Sequence, residues 1–396
     1  MQTAVFYDPD SLKHVVPDFH CECPARIEQV VELAEELALH PSRALRVHRA
    51  VAPAAERHIR AVHEAAYLDY IREIMPLAPG DPPAVVCAGV ADGDAEGHAD
   101  ELDPENFDTF VTWGSWAAAR RAAGAVLAAI DAVSSRECRN AFCAVRPPGH
   151  HAGRHGQTDG APSQGFCIIN NVAIGATYAV AAMNYERVAV VDFDVHHGNG
   201  TQDILGSDDP AAQRRFLFVS IHAYDERKYF FPGTGAAGEG PANVLNVPLR
   251  RHSGTAAYLH AFESAIIPRL DAFRPRLLLL SAGFDGHKDD PTRGLRLDAH
   301  DYYRITQLLL GVAQRHCSGR VVSVLEGGYD TNPKTTALVH CVRYHLMALM
   351  NQEAPDGSGS PMSLPPSPSI SASFDSPFTL PPSASPPPPS KDDDMN

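Results

Sequence analysis

Residues 188–200 read VAVVDFDVHHGNG, a run that turns abruptly from wholly apolar to acidic and imidazole-bearing. Buried carboxylates and imidazoles are costly unless paired or coordinated, so a strand as apolar as VAVV must end against something that binds them. Alternate side chains of an extended segment share a face, which sets Asp192, Asp194 and His196 on one side as the strand ends. Asp194 and His196, with Asp285 from SAGFDGH, offer one imidazole and two carboxylates. That set suits a divalent metal with positions left open for water and substrate; zinc leads, and iron, cobalt or manganese fit similar donors. RPPGHHAG supplies adjacent His150 and His151, which can act as a base and its electrostatic partner beside such a metal. Asp192 can fix the tautomer of one of them and Asn199 that of the other. In LEGGYD two glycines let the backbone pass close to a pocket, where the Tyr329 phenol can donate to a carbonyl oxygen gaining charge. The formal dinucleotide spacing of Gly233, Gly235 and Gly238 is rejected, because it follows Phe230-Phe231-Pro232 instead of a strand and opens no helix. His197 is not assigned as a ligand.

These residues need elements to position them. Apolar β-rich runs at 4–7, 141–146, 188–193, 216–222, 277–282 and 320–325 alternate with helical patterns near 115–133, 170–183, 256–273, 300–316 and 335–349. Continuous apolar strands between helices predict a mainly parallel central sheet covered on both faces, hence a single-domain three-layer α/β/α sandwich. RPPGHH, DFDVHHGNG, SIHAYD, SAGFDGH and LEGGYD each follow one of these strands. Ligands of open α/β sheets bind beyond the carboxyl ends of the strands, so five loops are expected to converge on one site.

Composition limits the function. A net charge of −15 over 396 residues argues against direct nucleic-acid binding, which needs concentrated Lys and Arg. The 8 cysteines include no C-x-x-C pair, so neither a thiolate zinc site nor a disulfide framework is expected. The opening MQTAVFYDPD reads as a strand and a turn, not a signal peptide, and no apolar run is long enough to span a bilayer. A soluble protein of a reducing compartment is expected, cytoplasmic or nuclear and not secreted. From residue 351 the Pro/Ser-rich composition cannot build a core, which divides the chain into a catalytic domain, 1–350, and a disordered tail, 351–396.

RPPGHHA, GFCIINNVAIGA, VDFDVHHGNGTQ, SAGFDGHKDDP and LEGGYD, in this order, resemble the zinc-dependent histone deacetylase and acetylpolyamine amidohydrolase superfamily. HHGNGTQ is similar to the class II form, since class I enzymes usually carry an acid where Asn199 stands. The resemblance implies an arginase-like fold and makes Asp194, His196 and Asp285 the ligands of one zinc ion. It implies His151 as general base with Asn199 behind it, and His150 as electrostatic partner with Asp192 behind it. Tyr329 becomes the transition-state tyrosine, Gly165, Phe166 and Phe231 the walls of an acyl-lysine tunnel, and Asp108 a binder of substrate backbone amides. A structural potassium ion would use Asp192, Asp194, His196 and Ser220. The implied substrate is an acetylated lysine of a protein or peptide. Acetylpolyamine hydrolysis is the main alternative, and a non-catalytic acyl-lysine scaffold in repressor complexes a weaker one. An arginase-type two-metal enzyme is discounted, because Asn199 replaces a needed acid. Two departures stand out: His20-Cys21-Glu22-Cys23-Pro24-Ala25-Arg26 in place of His-Pro-Glu-x-Pro-x-Arg, and Thr292-Arg293-Gly294 where Leu-Gly-Gly is common. The second alters the rim and has no glutamate, which tilts the expectation from polyamine toward lysine.

Overall fold

Ten strands form among the described residues: β1 (Thr3–Phe6), β2 (Leu45–His48), β3 (Ala84–Val85), β4 (Phe110–Val111), β5 (Asn140–Cys143), β6 (Val188–Asp192), β7 (Phe216–Tyr224), β8 (Val244–Arg250), β9 (Leu277–Ala282) and β10 (Val321–Leu325). The computed structural model describes residues 2–40, 44–86 and 108–353. Eight strands make one sheet in the order β2-β1-β5-β10-β9-β6-β7-β8, and β3 pairs antiparallel with β4 apart from it. Every pairing in the large sheet is parallel. The five strands with polar motifs at their carboxyl ends, β5, β10, β9, β6 and β7, are consecutive neighbours. Their motifs therefore emerge side by side on one edge.

Strand side chains alternate between two cores. Val5, Phe142, Val191, Val219, Leu280 and Val321 face a layer containing Ile27 and Val30 of helix Pro24–Ala38, with Leu309 and Val342. Phe6, Ala141, Val190, Phe218, Leu279 and Val322 face the opposite layer, which includes Val126 of helix Ser115–Ser134 and Val172 of helix Asn171–Ala181. Burial on both faces is why these strands lack a polar alternation. Each such Val or Leu stabilises the fold by about 1.5–3 kcal/mol through removal from water.

The predicted strand over 141–146 stops at Cys143, since Pro147 and Pro148 bring no N–H to a ladder. The helix predicted over 256–273 is interrupted. It runs Thr255–Ala261, widens to a π-turn at Phe262–Ile266 and resumes at Ile267–Phe273. Pro268 lacks the N–H that an α-helix would donate to Ser264, and the wider turn accommodates the loss. Helix Pro24–Ala38 and strands β2 and β8 were not among the predicted elements. The expected tail falls, from residue 354 on, outside the described residues. Among the described residues no helix is long and apolar enough to cross a membrane.

Candidate active site

The end of β6 continues the alternation that its apolar half begins. Phe193 and Val195 join Val191 in one core, leaving Asp192, Asp194 and His196 to the other side. His196 Nδ1 lies 3.1 Å from Asp194 Oδ1 and 3.2 Å from Asp285 Oδ2. Backbone groups hold both acids in place: Asp194 Oδ2 accepts the Gly327 N–H at 2.8 Å, and Asp285 Oδ1 accepts the Val195 N–H at 2.9 Å. Asp285 Oδ2, fully buried, has no partner besides the His196 ring. The glycines around it are needed for space. A Cβ on Gly327 would meet Asp285 Oδ2 at 2.3 Å and Asp194 Oδ2 at 2.5 Å, and one on Gly283 would meet Asp194 Oδ2 at 2.1 Å. One imidazole nitrogen and two carboxylates thus offer donor atoms within 4.8 Å of one another, and one carboxylate oxygen has no other partner. This donor set fits a zinc-like cation. Burial, followed by the Asp194 charge, pushes the Asp285 pKa up to about 7, as expected of a carboxylate that needs a cation beside it.

Beside these donors the rings of His150 and His151 lie 3.9 Å apart. His150 Nδ1 meets Asp192 Oδ2 at 2.9 Å, and His151 Nδ1 meets Asn199 Oδ1 at 2.6 Å. The pKa values of the two histidines are therefore pushed in opposite directions. Burial alone would lower the His150 pKa, but Asp192 and Asp194 overcome it and raise it to about 10. Burial pushes His151 well below its ordinary value, and the charge of the neighbouring His150 ring pushes it the same way. A neutral His151 that donates Nδ1–H to Asn199 carries its lone pair on Nε2, the state a general base requires.

Tyr329 stands on a loop fixed from several directions. Asp290 Oδ2 accepts the Tyr329 N–H at 2.7 Å, and the Arg26 guanidinium sits 4.7 Å from the ring centre. Arg26 also donates to the carbonyls of Gly328 at 2.5 Å and Glu326 at 2.6 Å. The Phe166 ring meets Tyr329 edge-on at 5.5 Å, and Phe231 meets His151 edge-on at 4.9 Å. Gly165 has φ +53, and a Cβ there would strike the His151 ring at 2.4 Å. Phe166, at φ 67, accepts a backbone conformation that costs about 1–2 kcal/mol; its N–H is held by Thr109 Oγ1 at 2.9 Å. Asp108 takes hydroxyl donors from Thr109 and Ser163, while its carbonyl accepts from His20 Nε2 at 2.8 Å. Ser220 lies opposite Asp192 in the β6–β7 register, with its hydroxyl on His222 Nδ1 at 2.9 Å. His197 Nδ1 is bonded to Thr234 and its Nε2 to Gln202, away from the donor trio.

Several residues not assigned to the site from sequence hold this assembly. Glu22, wholly buried, binds Arg146 Nε at 2.6 Å and Arg26 Nη1 at 2.8 Å. Thr292 Oγ1 donates to the carbonyl of Asp285 and to Asp290 Oδ1, both at 2.9 Å. Glu326 Oε2 accepts the N–H groups of Gly149 and His150, and Oε1 accepts from Ser281. His150, Cys167 and Glu326 form a second close trio of donor types. That carboxylate is already occupied, and burial keeps the Cys167 thiol protonated. The signal for Glu22, Arg26 and Asp290 was present as charged residues inside motif-like strings, but their partners lie far along the chain.

Residues 20–348 match the family described as Histone deacetylase domain. The chain is 46% identical over 365 residues to Type-2 histone deacetylase 2 of Dictyostelium discoideum, covering 88% of this chain and 21% of that protein. It is 35% identical over 289 residues to a histone deacetylase-like amidohydrolase of Pseudomonas aeruginosa, covering 71% of this chain and 66% of the other. The crystal structure of the HDA15 HD domain superposes with a TM-score of 0.72 at 28% identity, covering 89% of this chain and 90% of that one. Against the Dictyostelium relative, the chain spans about a fifth of the length.

Proposed function

The chain belongs to the histone deacetylase family, and on that premise we propose that it hydrolyses the side-chain amide of Nε-acetyl-lysine in a protein or peptide. Asp194, His196 and Asp285 would hold zinc, whose Lewis acidity would assist attack on the amide carbonyl. His151, neutral and with Nε2 free, takes a proton from the attacking water. His150, held cationic by Asp192, keeps positive charge beside the anion that develops on the carbonyl oxygen. Tyr329 donates its phenolic hydrogen bond to that oxygen. The C–N bond then breaks, the lysine nitrogen takes the proton from His151, and acetate and free lysine leave. Phe166 and Phe231 wrap the thin methylene stem of the substrate, and Asp108 accepts its backbone N–H groups. A potassium ion at Asp192, Asp194, His196 and Ser220 belongs to the same proposal, supported by Ser220 standing beside Asp192. So does residence in the cytoplasm or nucleus.

The observation that carries this reading is the pair of histidine rings 3.9 Å apart beside the donor trio, one backed by the Asp192 carboxylate and the other by the uncharged Asn199 amide. Lysine is preferred over polyamine because Thr292-Arg293-Gly294 supplies no glutamate of the kind that polyamine-selective relatives carry at this position. A panel of acyl-lysine peptides and acetylated spermidine decides between them. Acetyl-lysine peptides are expected to give the highest kcat/KM; a higher value on acetylspermidine would transfer the assignment to polyamines.

A further inference from the structure

The general base is held by an amide, and an amide differs from a carboxylate in one respect that matters here. Either oxygen of an aspartate can accept from His151 Nδ1, but Asn199 has a single acceptor, which must be kept facing the ring. Something else has to hold the amide. In the structure Asn199 Nδ2 donates to Thr158 Oγ1 at 2.6 Å while Oδ1 receives His151 Nδ1 at 2.6 Å. Thr158 lies on the loop joining the histidine pair to Gly165, and that loop is itself pinned. Gly153 and Gly156 exchange backbone hydrogen bonds, Gln157 Nε2 donates to the Ala161 carbonyl, and the Arg154 N–H binds Asp203. The Thr158 methyl lies over Gly153, where a Cβ would meet it at 2.8 Å. Thr158 and Asn199 both line a cleft of about 1070 Å³, on the side of the amide away from His151.

We propose that Thr158 is a positioning residue for catalysis, acting through Asn199 to keep His151 in the orientation that leaves Nε2 free to accept a proton. The proposal rests on the reading of His151 as general base. The same loop carries Ser163, whose hydroxyl binds Asp108, so one loop supports both the base and a proposed substrate-binding carboxylate.

The test compares Thr158→Val with Thr158→Ser in the full chain on an acetyl-lysine peptide. Valine keeps the shape and removes the acceptor. It is expected to lower kcat about tenfold, the worth of one lost orienting hydrogen bond, with KM near wild type. Serine restores the acceptor and should restore kcat. Repeating Thr158→Val in an Asn199→Asp background should shrink the loss to less than about twofold, because either carboxylate oxygen can serve the ring. Wild-type kcat in Thr158→Val, a Thr158→Ser variant as slow as valine, or an equal loss in both backgrounds would each overturn the proposal. His151→Ala run alongside separates the two claims: full activity there would remove the base assignment itself, whatever Thr158 does.

Discussion

Three side chains with different tasks stand close together because each is given a different environment. Against burial, Asp192 raises the His150 pKa; burial pushes that of His151 well below its ordinary value, and burial pushes the Tyr329 phenol well above its own. A phenol that stays protonated remains a hydrogen-bond donor throughout the working pH range. Tyr329→Phe should therefore lower kcat by about 10²–10³ while bound zinc, measured by elemental analysis, stays at the wild-type level. Full turnover in that variant would remove the oxyanion role. At this scale the site was largely legible. The trio of candidate metal donors, the histidine pair and Tyr329 all follow strands directly, where residue type and alternation carry the information. Thr158, Ser163 and Asp290 were not legible, because a loop's sequence does not say which atom it will reach.

At the scale of elements, the loops of the candidate site are held by a buried ion network. Glu22 lies just before helix Pro24–Ala38, Arg26 lies in its first turn, and Arg146 follows the end of β5. The contact from Arg26 to the Gly328 carbonyl spans 302 residues of sequence, a register no local pattern contains. Burial disfavours the Glu22 carboxylate, but Arg146, His14 and Arg26 outweigh it and hold its pKa far below the usual glutamate value. A depressed folded pKa stabilises at all pH above the unfolded value and is lost as pH falls below it. Glu22→Gln should destabilise the fold by about 3–5 kcal/mol at neutral pH, since two buried guanidiniums lose their charge partner. The gap in urea midpoint between wild type and variant should hold from pH 7 down to about pH 4.5, the ordinary glutamate value, and narrow steadily from there to pH 3. A constant gap across that range would contradict the linkage. The strands read clearly for the same reason that they are central: they are buried on both faces. β2, at the sheet edge, has only one strand neighbour and the pattern Leu-Arg-Val-His, which is too weak to identify alone.

Across the whole molecule, one edge of a wholly parallel sheet gathers five adjacent strand ends, and the chemistry follows from that adjacency. The order of the strands was not readable from the sequence. What was readable was that five polar motifs each followed an apolar run, and that common position was enough to place them together. The net charge of −15 would draw a Lys/Arg-rich peptide toward the protein over long range. Raising salt should then lower kcat/KM on such a peptide and leave a neutral acetyl-lysine peptide nearly unchanged; equal salt effects on both would exclude steering. The central claim is a zinc-dependent amidohydrolase acting on acetyl-lysine. Its most direct test is turnover of an acetyl-lysine peptide by the full chain after chelation and stepwise return of zinc. Activity is expected to vanish with the metal and to recover fully at about one zinc per chain. Turnover that survives complete chelation, or none at one bound zinc per chain, would contradict it.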